Sequence, residues 1–360
     1  MKKKKFIFIN LTNFYLTPYF SNYVNGYDID YDVAYWDRSF LAESIQGSIN
    51  TFRFTTKRYS DSESKIIKLF KYFRFSSFAK KILKNNHYDG VIFLQTTIAV
   101  FLSSFLKKRY PHKYIVDIRD YSFEHFRLFR HLEKKAINNS FFSTISSIGY
   151  KKFLPPFDYV LVHNYHPISN DIKNAFFTRN RDNKSINISF IGLIRFMDQN
   201  KKIINYFKND CRFTLSFIGK NALELKEYID KNDINNVYLY DYFDSNRTLD
   251  FYSKTDIIMN LYGNNTPLLD YAVSNKLYYS ASLYMPILVC PNTFMEELSK
   301  QFKLGFSLDM ADKENINRLY EWFVGIDRAA FKKECDAFIA KVEADMSHFF
   351  AAVKSFYEKG

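Results

Sequence analysis

The sequence is poor in the residues that cross-link, bend or interrupt a chain: 3 Cys, 8 Pro and 10 Gly among 360 residues. Cys211, Cys290 and Cys335 are widely separated, odd in number and without CxxC spacing. That pattern argues against a disulfide framework and against a structural zinc site. A reducing compartment, the cytoplasm, is the expected setting. The 7 His show no metal-ligand spacing, so no metal is expected. No stretch approaches the ~18 apolar residues that a membrane span needs. The opening Met1-Lys2-Lys3-Lys4-Lys5 followed by Phe6–Ile9 imitates a signal peptide, but the apolar run stops at Asn10 and no small-residue cleavage site follows. It reads as a first buried strand. There is no internal repeat at a fixed period and no low-complexity tract.

What is abundant is aromatic and basic. The chain holds 39 Phe and 28 Tyr, with 47% hydrophobic and 25% charged residues, which is ample apolar surface for a soluble protein with two cores. Its length suits two domains of about 150 residues each. The formal net charge of +13 calls for an acidic partner: nucleic acid, anionic lipid or a phosphorylated substrate. Nucleic acid is the weakest of these, because no RRM, KH or helix-turn-helix signature is present.

Short apolar or aromatic runs alternate with longer helical stretches, the pattern of parallel α/β sheets. Strands are expected at Phe6–Asn10, Val33–Trp36, Thr51–Thr55, Gly90–Leu94, Tyr114–Ile118, Phe141–Ile145 and Tyr159–His163, with helices at Ser64–Lys84, Thr96–Arg109 and Phe123–Asn138. A polar stretch from Asn170 to Asn187 reads as a linker. A second series follows, with strands at Ile188–Ile191, Phe213–Ile218, Val237–Tyr240, Ile257–Leu261 and Ile287–Val289. Helices are expected between them at Asn200–Lys208, Ala222–Asn232, Thr248–Ser253 and Asn275–Leu283, and from about Glu314 to Lys359. The boundaries that result are 1–168, a linker 169–187, 188–325, and C-terminal helices 326–360 expected to pack back toward the first domain. Two such sheets in tandem predict a cleft faced by the carboxyl ends of their strands.

The segment Thr255–Cys290 carries the most chemistry. Ser274 can cap a helix whose first turn holds Asn275 and Lys276, and a helix N-terminus with an added lysine suits a phosphate. The competing reading is an ordinary capped helix with a solvent-facing lysine. In the first half, Tyr114-Ile115-Val116-Asp117-Ile118-Arg119-Asp120 is a buried strand ending in charge, with Glu124 and His125 a helical turn further on. Asp120 is the first candidate for taking a proton from a hydroxyl. The alternative is an ion pair of Arg119 with Asp117 or Asp120 that only shapes the loop. Asp28-Ile29-Asp30-Tyr31-Asp32 has the letters of a metal-holding Asp-x-Asp, but it precedes a strand instead of following one. In Lys65–Arg74 (KIIKLFKYFR), Lys65, Lys68, Lys71 and Arg74 fall on one side and Ile66, Phe70 and Phe73 on the other. An apolar face toward the sheet and a basic face toward solvent, or toward an anionic membrane, are expected.

Ser274-Asn275-Lys276-Leu277-Tyr278 through Met285-Pro286-Ile287-Leu288 resembles the donor-site helix of bacterial capsule and exopolysaccharide glycosyltransferases, GT-B enzymes related to glycosyltransferase family 4. Ile188-Ser189-Phe190-Ile191-Gly192-Leu193-Ile194-Arg195 is similar to the strand and glycine loop that open the family's C-terminal domain, and Asp117–Asp120 to its acceptor side. The resemblance implies a GT-B fold of two Rossmann-like, doubly wound parallel-sheet domains. It implies transfer of a sugar from a nucleotide sugar, UDP by default, to a glycan or polyprenyl-diphosphate-linked acceptor of bacterial surface polysaccharide, with no cofactor or metal required. It assigns Gly192, Arg195, Lys201 or Lys202, Ser274, Asn275 and Lys276 to the donor diphosphate, Asn264 and Asn265 to the donor sugar, and Tyr242 and Phe243 to the base, although a core role is the more common one for such aromatics; Asp120, Glu124 and His125 are the acid/base candidates on the acceptor side. One departure stands out. Members of the family often carry two glutamates eight positions apart, where this chain has Asp270-Tyr271 and Tyr278-Tyr279. The stereochemical outcome therefore does not carry over, and a non-catalytic GT-B partner subunit is the alternative expectation.

Overall fold

The structure is a computed structural model that describes residues 3–56, 64–179 and 185–359, the side chains of Lys65 and Ile66 excepted. The chain divides into two compact units, Met1–His163 with Ala344–Gly360, and Asn164–Glu343. Each is built on a parallel sheet.

The first unit contains β1 (Lys5–Asn10), β2 (Asp30–Trp36), β3 (Thr51–Phe54), β4 (Gly90–Phe93), β5 (Tyr114–Ile118), β6 (Phe142–Ile145) and β7 (Val160–Leu161), in the order β3-β2-β1-β4-β5-β6-β7. A parallel sheet is covered on both faces, so its strands run continuously apolar instead of alternating. β1 obeys this, with Phe6, Ile7, Phe8 and Ile9 all buried. The expected helix Thr96–Arg109 is broken at Leu102 into Thr96–Phe101 and Ser103–Arg109. The expected Phe123–Asn138 helix starts only at Arg127, because Phe126 is extended (φ −89°, ψ 124°) and residues 121–126 form a loop.

The face assigned to Lys65–Arg74 is corrected. In the helix Lys65–Asn85, Phe75, Ala79, Ile82 and Leu83 are buried. That stripe fixes the helix phase, and carrying it back one turn lands on Lys71, which is buried, and not on the phenylalanines. Phe70 and Phe73 are 63% and 61% exposed, and Ile67 and Leu69 are exposed beside them. The local pattern at the helix start is thus overridden by the stronger apolar stripe downstream.

The second unit holds β8 (Ile186–Ile191), β9 (Phe213–Ile218), β10 (Val237–Tyr240), β11 (Ile257–Asn260), β12 (Ile287–Val289) and β13 (Gly305–Ser307), in the order β10-β9-β8-β11-β12-β13. Its core gathers Phe190, Phe213, Leu215, Phe217, Ile257, Met259 and Leu288 from the strands with Ile203, Ile204 and Phe207 from the flanking helix Met197–Tyr206 and its end. The sequence patterns did not reveal β13, a three-residue edge strand, or the helices Pro267–Tyr271 and Phe294–Gln301. The expected linker contains a helix as well, Asn170–Thr178, capped by the Ser169 hydroxyl accepting from Ile172 N–H. Its residues 180–184 lie outside the described ones. The 32-residue helix Arg328–Lys359 ends in the first unit, where Phe356 lies 5.5 Å from Phe6 and Tyr357 Oη donates to the Tyr23 carbonyl at 2.7 Å.

Candidate functional site

In both sheets the chain reverses its direction of winding at one point: between β1 and β4 in the first, between β8 and β11 in the second. Such a switch leaves a crevice outside the carboxyl ends of the two strands, where open α/β sheets bind ligands. β8 and β11 pair at Ile257–Ile188 and Ile258–Ser189, and both strands run on past that pairing to Ile191 and Asn260. β8 then ends at Gly192 and neighbouring β9 at Gly219, with φ of +130° and +134°, backbone that L side chains rarely adopt. A Cβ on Gly219 would stand 2.0 Å from the Gly192 carbonyl oxygen, so these two turns touch backbone to backbone. A Cβ on Gly192 would meet Lys276 Nζ at 3.8 Å. The space in front of the glycine is therefore overlooked by an ammonium group.

Lys276 stands in the first turn of the helix Asn275–Ser282, and it is 4% exposed. Its Nζ donates to Tyr262 Oη at 2.9 Å and lies 4.3 Å from the centre of the Phe190 ring. Tyr262 is held in turn by Phe190 and Phe196, with ring centres 5.3 and 6.1 Å away. Among the described residues Lys276 has no acidic partner. A buried charge is costly unless it is paired, and two aromatic faces and one phenol neutralise none of it. The structure thus leaves the Lys276 charge without a carboxylate to balance it among the described residues. The alternative of a solvent-facing lysine is excluded. Ser274 does cap the helix, but its hydroxyl accepts from Lys276 N–H and its carbonyl from Leu277 N–H. Those two N–H groups are occupied, so the positive charge here is chiefly the side chain's.

The other donor-side candidates distribute unevenly. Arg195 is exposed on the turn after Gly192, whose shape is set by Asn200 Nδ2 donating to the Arg195 carbonyl at 2.7 Å and by Phe196 at φ +55°. Among the described residues Arg195 has no ion pair. Lys201 Nζ sits 5.7 Å over the Tyr228 ring, while Lys202 is exposed. Asn264 is half-buried and donates to the Pro291 carbonyl at 2.9 Å; Asn265 (φ +67°) donates to Asn264 Oδ1 at 2.6 Å. Asp270 accepts from Asn265 N–H at 2.8 Å, so this carboxylate serves to fold the loop. Asn275 is exposed. Tyr242 is 74% exposed, whereas Phe243 packs 4.7 Å from Phe251. Of the tyrosines in the glutamate positions, Tyr278 is buried against Phe338 and Tyr279 lies 5.0 Å from Tyr252.

The first unit treats the corresponding place differently. β1 and β4 pair from Phe6–Gly90 to Ile9–Phe93, and beyond them Gln95 donates to Asn10 Oδ1 at 2.8 Å and accepts from Leu11 N–H at 2.7 Å. One strand further, Asp117 is fully buried and accepts from Arg119 (Nε 2.7 Å, Nη2 2.9 Å), Tyr23 Oη (2.8 Å) and Thr144 Oγ1 (2.9 Å). Tyr19 lies flat beneath the guanidinium, 3.8 Å from Arg119 Cζ. Burial alone would lower the Arg119 pKa, but Asp117 beside it holds it above its ordinary value. The Asp117–Arg119 pair thus shapes the loop, leaving Asp120 as the exposed carboxylate at the strand end.

Glu124 is not on a helix, as expected, but in the loop, and it is buried. One of its oxygens accepts from Ser122 N–H at 2.5 Å, and its other neighbour is Glu133, which is fully buried on the helix Arg127–Asn138. Burial, then the charge of Glu124, pushes Glu133 up to about 9; burial likewise raises Glu124, to about 7. Burial of these two carboxyls without a cation thus favours their protonated forms. His125 is exposed and meets the Phe126 ring at a tilt, ring centres 4.0 Å apart. Glu133 escaped notice in the sequence, yet it falls on the apolar stripe Phe129-Glu133-Ala136-Ile137, which was the available signal. Asp30 and Asp32 are spent on Lys3 and on Lys5 with Tyr88, and among the described residues no group of three or more His, Cys, Asp or Glu is placed to hold a metal.

No protein-family model matches the sequence, and no curated protein sequence matches it either. Solved structures do match in fold. A sucrose-phosphate synthase from Thermosynechococcus elongatus superposes with a TM-score of 0.69 at 9% identity, over 99% of this chain and 100% of that one. The Anabaena protein HepE, in complex with UDP and glucose, gives 0.63 at 12% identity over 98% and 100%. WaaG, a glycosyltransferase involved in lipopolysaccharide biosynthesis, gives 0.62 at 10% identity over 97% and 99%. The fold is GT-B, as expected: two Rossmann-like parallel-sheet domains of seven and six strands.

Proposed function

We propose that this protein is a glycosyltransferase that takes its sugar from a nucleotide sugar, UDP-linked by default, and gives it to a glycan or polyprenyl-diphosphate-linked acceptor of a bacterial surface polysaccharide. The observation that carries the reading is Lys276, a buried ammonium with no acidic partner among the described residues, facing a side-chain-free turn at the switch point of a GT-B donor sheet. HepE, of the same fold, has been solved with UDP and glucose.

In this reading Gly192 lets the diphosphate approach the backbone, and Lys276 with Arg195 neutralises it, helped by Lys201 or Lys202. The bond between the sugar's anomeric carbon and the diphosphate oxygen breaks as the acceptor oxygen bonds to that carbon. Fixed cations stabilise the leaving diphosphate, so no metal is needed. Asp120 takes the acceptor's proton, with Glu124 and His125 behind it in the same loop. Asn264 and Asn265 hold sugar hydroxyls, and Tyr242, with Phe243 behind it, stacks on the base. Residues 1–168 serve as the acceptor domain and residues 188–325 as the donor domain. The protein works in the cytoplasm, and Ile67, Leu69, Phe70 and Phe73 with Lys68 and Arg74 form an apolar, basic surface suited to an anionic inner leaflet. No described helix is long and apolar enough to cross a membrane.

Thermal shift with UDP, GDP, CMP and dTDP tests the reading. One of them raises the melting temperature, and Arg195→Ala or Lys276→Ala abolishes the rise. If none raises it, the reading fails. One observation favours a second reading, a nucleotide-binding but non-catalytic partner subunit: Asp270-Tyr271 and Tyr278-Tyr279 stand where related enzymes often carry two glutamates. Nucleotide binding without hydrolysis or transfer of any donor would select it.

A further inference from the structure

The exposed face of the helix Arg127–Asn138 carries Arg127, Arg130, His131 and Lys134, at the i, i+3, i+4, i+7 spacing that brings side chains together along one side. These four line an open groove of about 370 Å³ whose apolar floor is Phe153, Leu154 and Pro155. Among the described residues none of the four is ion-paired. Arg127 opens the helix, so the positive end of its dipole adds to three permanent cations. The acidic residue of this helix nearest to them in sequence, Glu133, is turned into the core, where burial raises its pKa to about 9. Beside the groove Phe126 and Leu128 are 52% and 70% exposed. The groove lies wholly in the first unit, on the helix that follows the Asp117–Asp120 strand end.

We propose that this groove binds the phosphate or diphosphate head of an amphiphile, with Phe153, Leu154 and Pro155 receiving the first carbons of its chain. Unpaired cations clustered in one concavity select a compact anion of more than one charge, and Arg binds phosphate oxygens with two N–H groups at once. An apolar floor does nothing for a free anion, but it adds affinity for one esterified to a hydrocarbon. The space of about 370 Å³ is roughly a dozen times the ~30 Å³ of one water, enough for a diphosphate and several carbons. Identifying the amphiphile as the sugar acceptor rests on the glycosyl-transfer reading; the groove's chemistry does not.

Flotation of the full chain with phosphatidylcholine vesicles tests this, with the vesicles plain, doped with phosphatidylglycerol, or doped with a polyprenyl diphosphate. The protein is expected to float with diphosphate-doped vesicles and to be displaced by inorganic pyrophosphate. Arg130→Glu/Lys134→Glu should lower that partition at least about tenfold, and the neutral pair Arg130→Gln/Lys134→Gln should lower it less, both without a change in melting temperature. Equal floating on phosphatidylglycerol makes the source a membrane phospholipid, and preference for the polyprenyl diphosphate makes it a lipid-linked acceptor. Either supports the groove. Undiminished binding by both variants overturns it, as does equal binding to plain vesicles, or charge-dependent binding of RNA with none to vesicles. The nucleotide-induced thermal shift of the same variants reads the donor side separately: if that shift persists while vesicle binding never depended on the groove, only this inference falls.

Discussion

The two sheets reach their switch points with opposite equipment. In the second unit β8 and β9 are each followed by a glycine, and the buried Lys276 beside Gly192 has no acidic partner among the described residues. In the first, the strand ends carry Asn10, Asp117 and Arg119, whose side chains satisfy one another or bond to Gln95, Tyr23 and Thr144. The same topology therefore yields glycine turns beside a buried lysine without a carboxylate partner among the described residues in one unit, and a self-satisfied polar lattice in the other. The lesson is that a switch point is an opportunity, and the residues at the strand ends decide whether it is left to a ligand or closed by the protein.

If that contrast is right, mutations in the first lattice cost stability and mutations at the second crevice cost ligand. The largest effect belongs to Arg119→Met. It strands the buried Asp117 carboxylate, which costs about 3–5 kcal/mol, a fall in melting temperature on the order of 10 °C. Nucleotide affinity of the folded fraction should be unchanged, and calorimetric scans with and without UDP check both halves. Gly219→Ala comes next. A Cβ against the Gly192 carbonyl at φ +134° costs about 2–4 kcal/mol and displaces the donor turn, so stability and nucleotide binding fall together. Gly26→Ala is its control, with φ +82° but nothing within 4 Å of the new Cβ; it should cost only about 1 kcal/mol.

Lys276→Met is the sharpest separation of the two regions. It should weaken nucleoside diphosphate binding by about 10–100-fold in titration calorimetry. The unliganded melting temperature should hold or rise, because a buried unpaired charge is gone. A marked loss of unliganded stability would show that the lysine is structural.

The smallest effect is on pH dependence. Glu124 and Glu133 have folded-state pKa values of about 7 and about 9, above the ordinary 4.5, so the folded protein keeps a proton that the unfolded chain has released. Their contribution is fully present below about pH 4.5 and is lost as pH rises through those values, by up to about 1.4 kcal/mol per pH unit for one proton. Glu133→Gln should flatten this slope, making the variant more stable than the parent at pH 9 and not at pH 5. Parallel melting curves that keep the same pH slope would rule out a raised pKa at Glu133.

Much of this was legible beforehand. The interior strands are short, continuous apolar runs, and those runs are what a sheet covered on both faces demands, so their positions and the two-sheet architecture followed from pattern. The Ser274 cap and the glycines after β8 and β9 were equally visible. Edge strand β13 was not, since Gly-Phe-Ser has neither length nor apolar continuity. Nor could local periodicity choose the face of Lys65–Asn85, because its first turns and its later stripe disagree about phase.

The amino-acid sequence alone thus determined the element types, the twofold Rossmann-like plan and the residues that carry charge at strand ends, because all of these are written in local period and chemistry. Only the tertiary structure decided which charges are paired. Asp117 and Arg119 are two residues apart on one strand end and neutralise each other. Lys276 is brought by a helix to a ring of aromatics from β8 and the loop after β11, segments distant in sequence, and meets no carboxylate there. Whether Lys276 is paired depends on what long-range packing sets within 4 Å of it, and that is not encoded in any single segment.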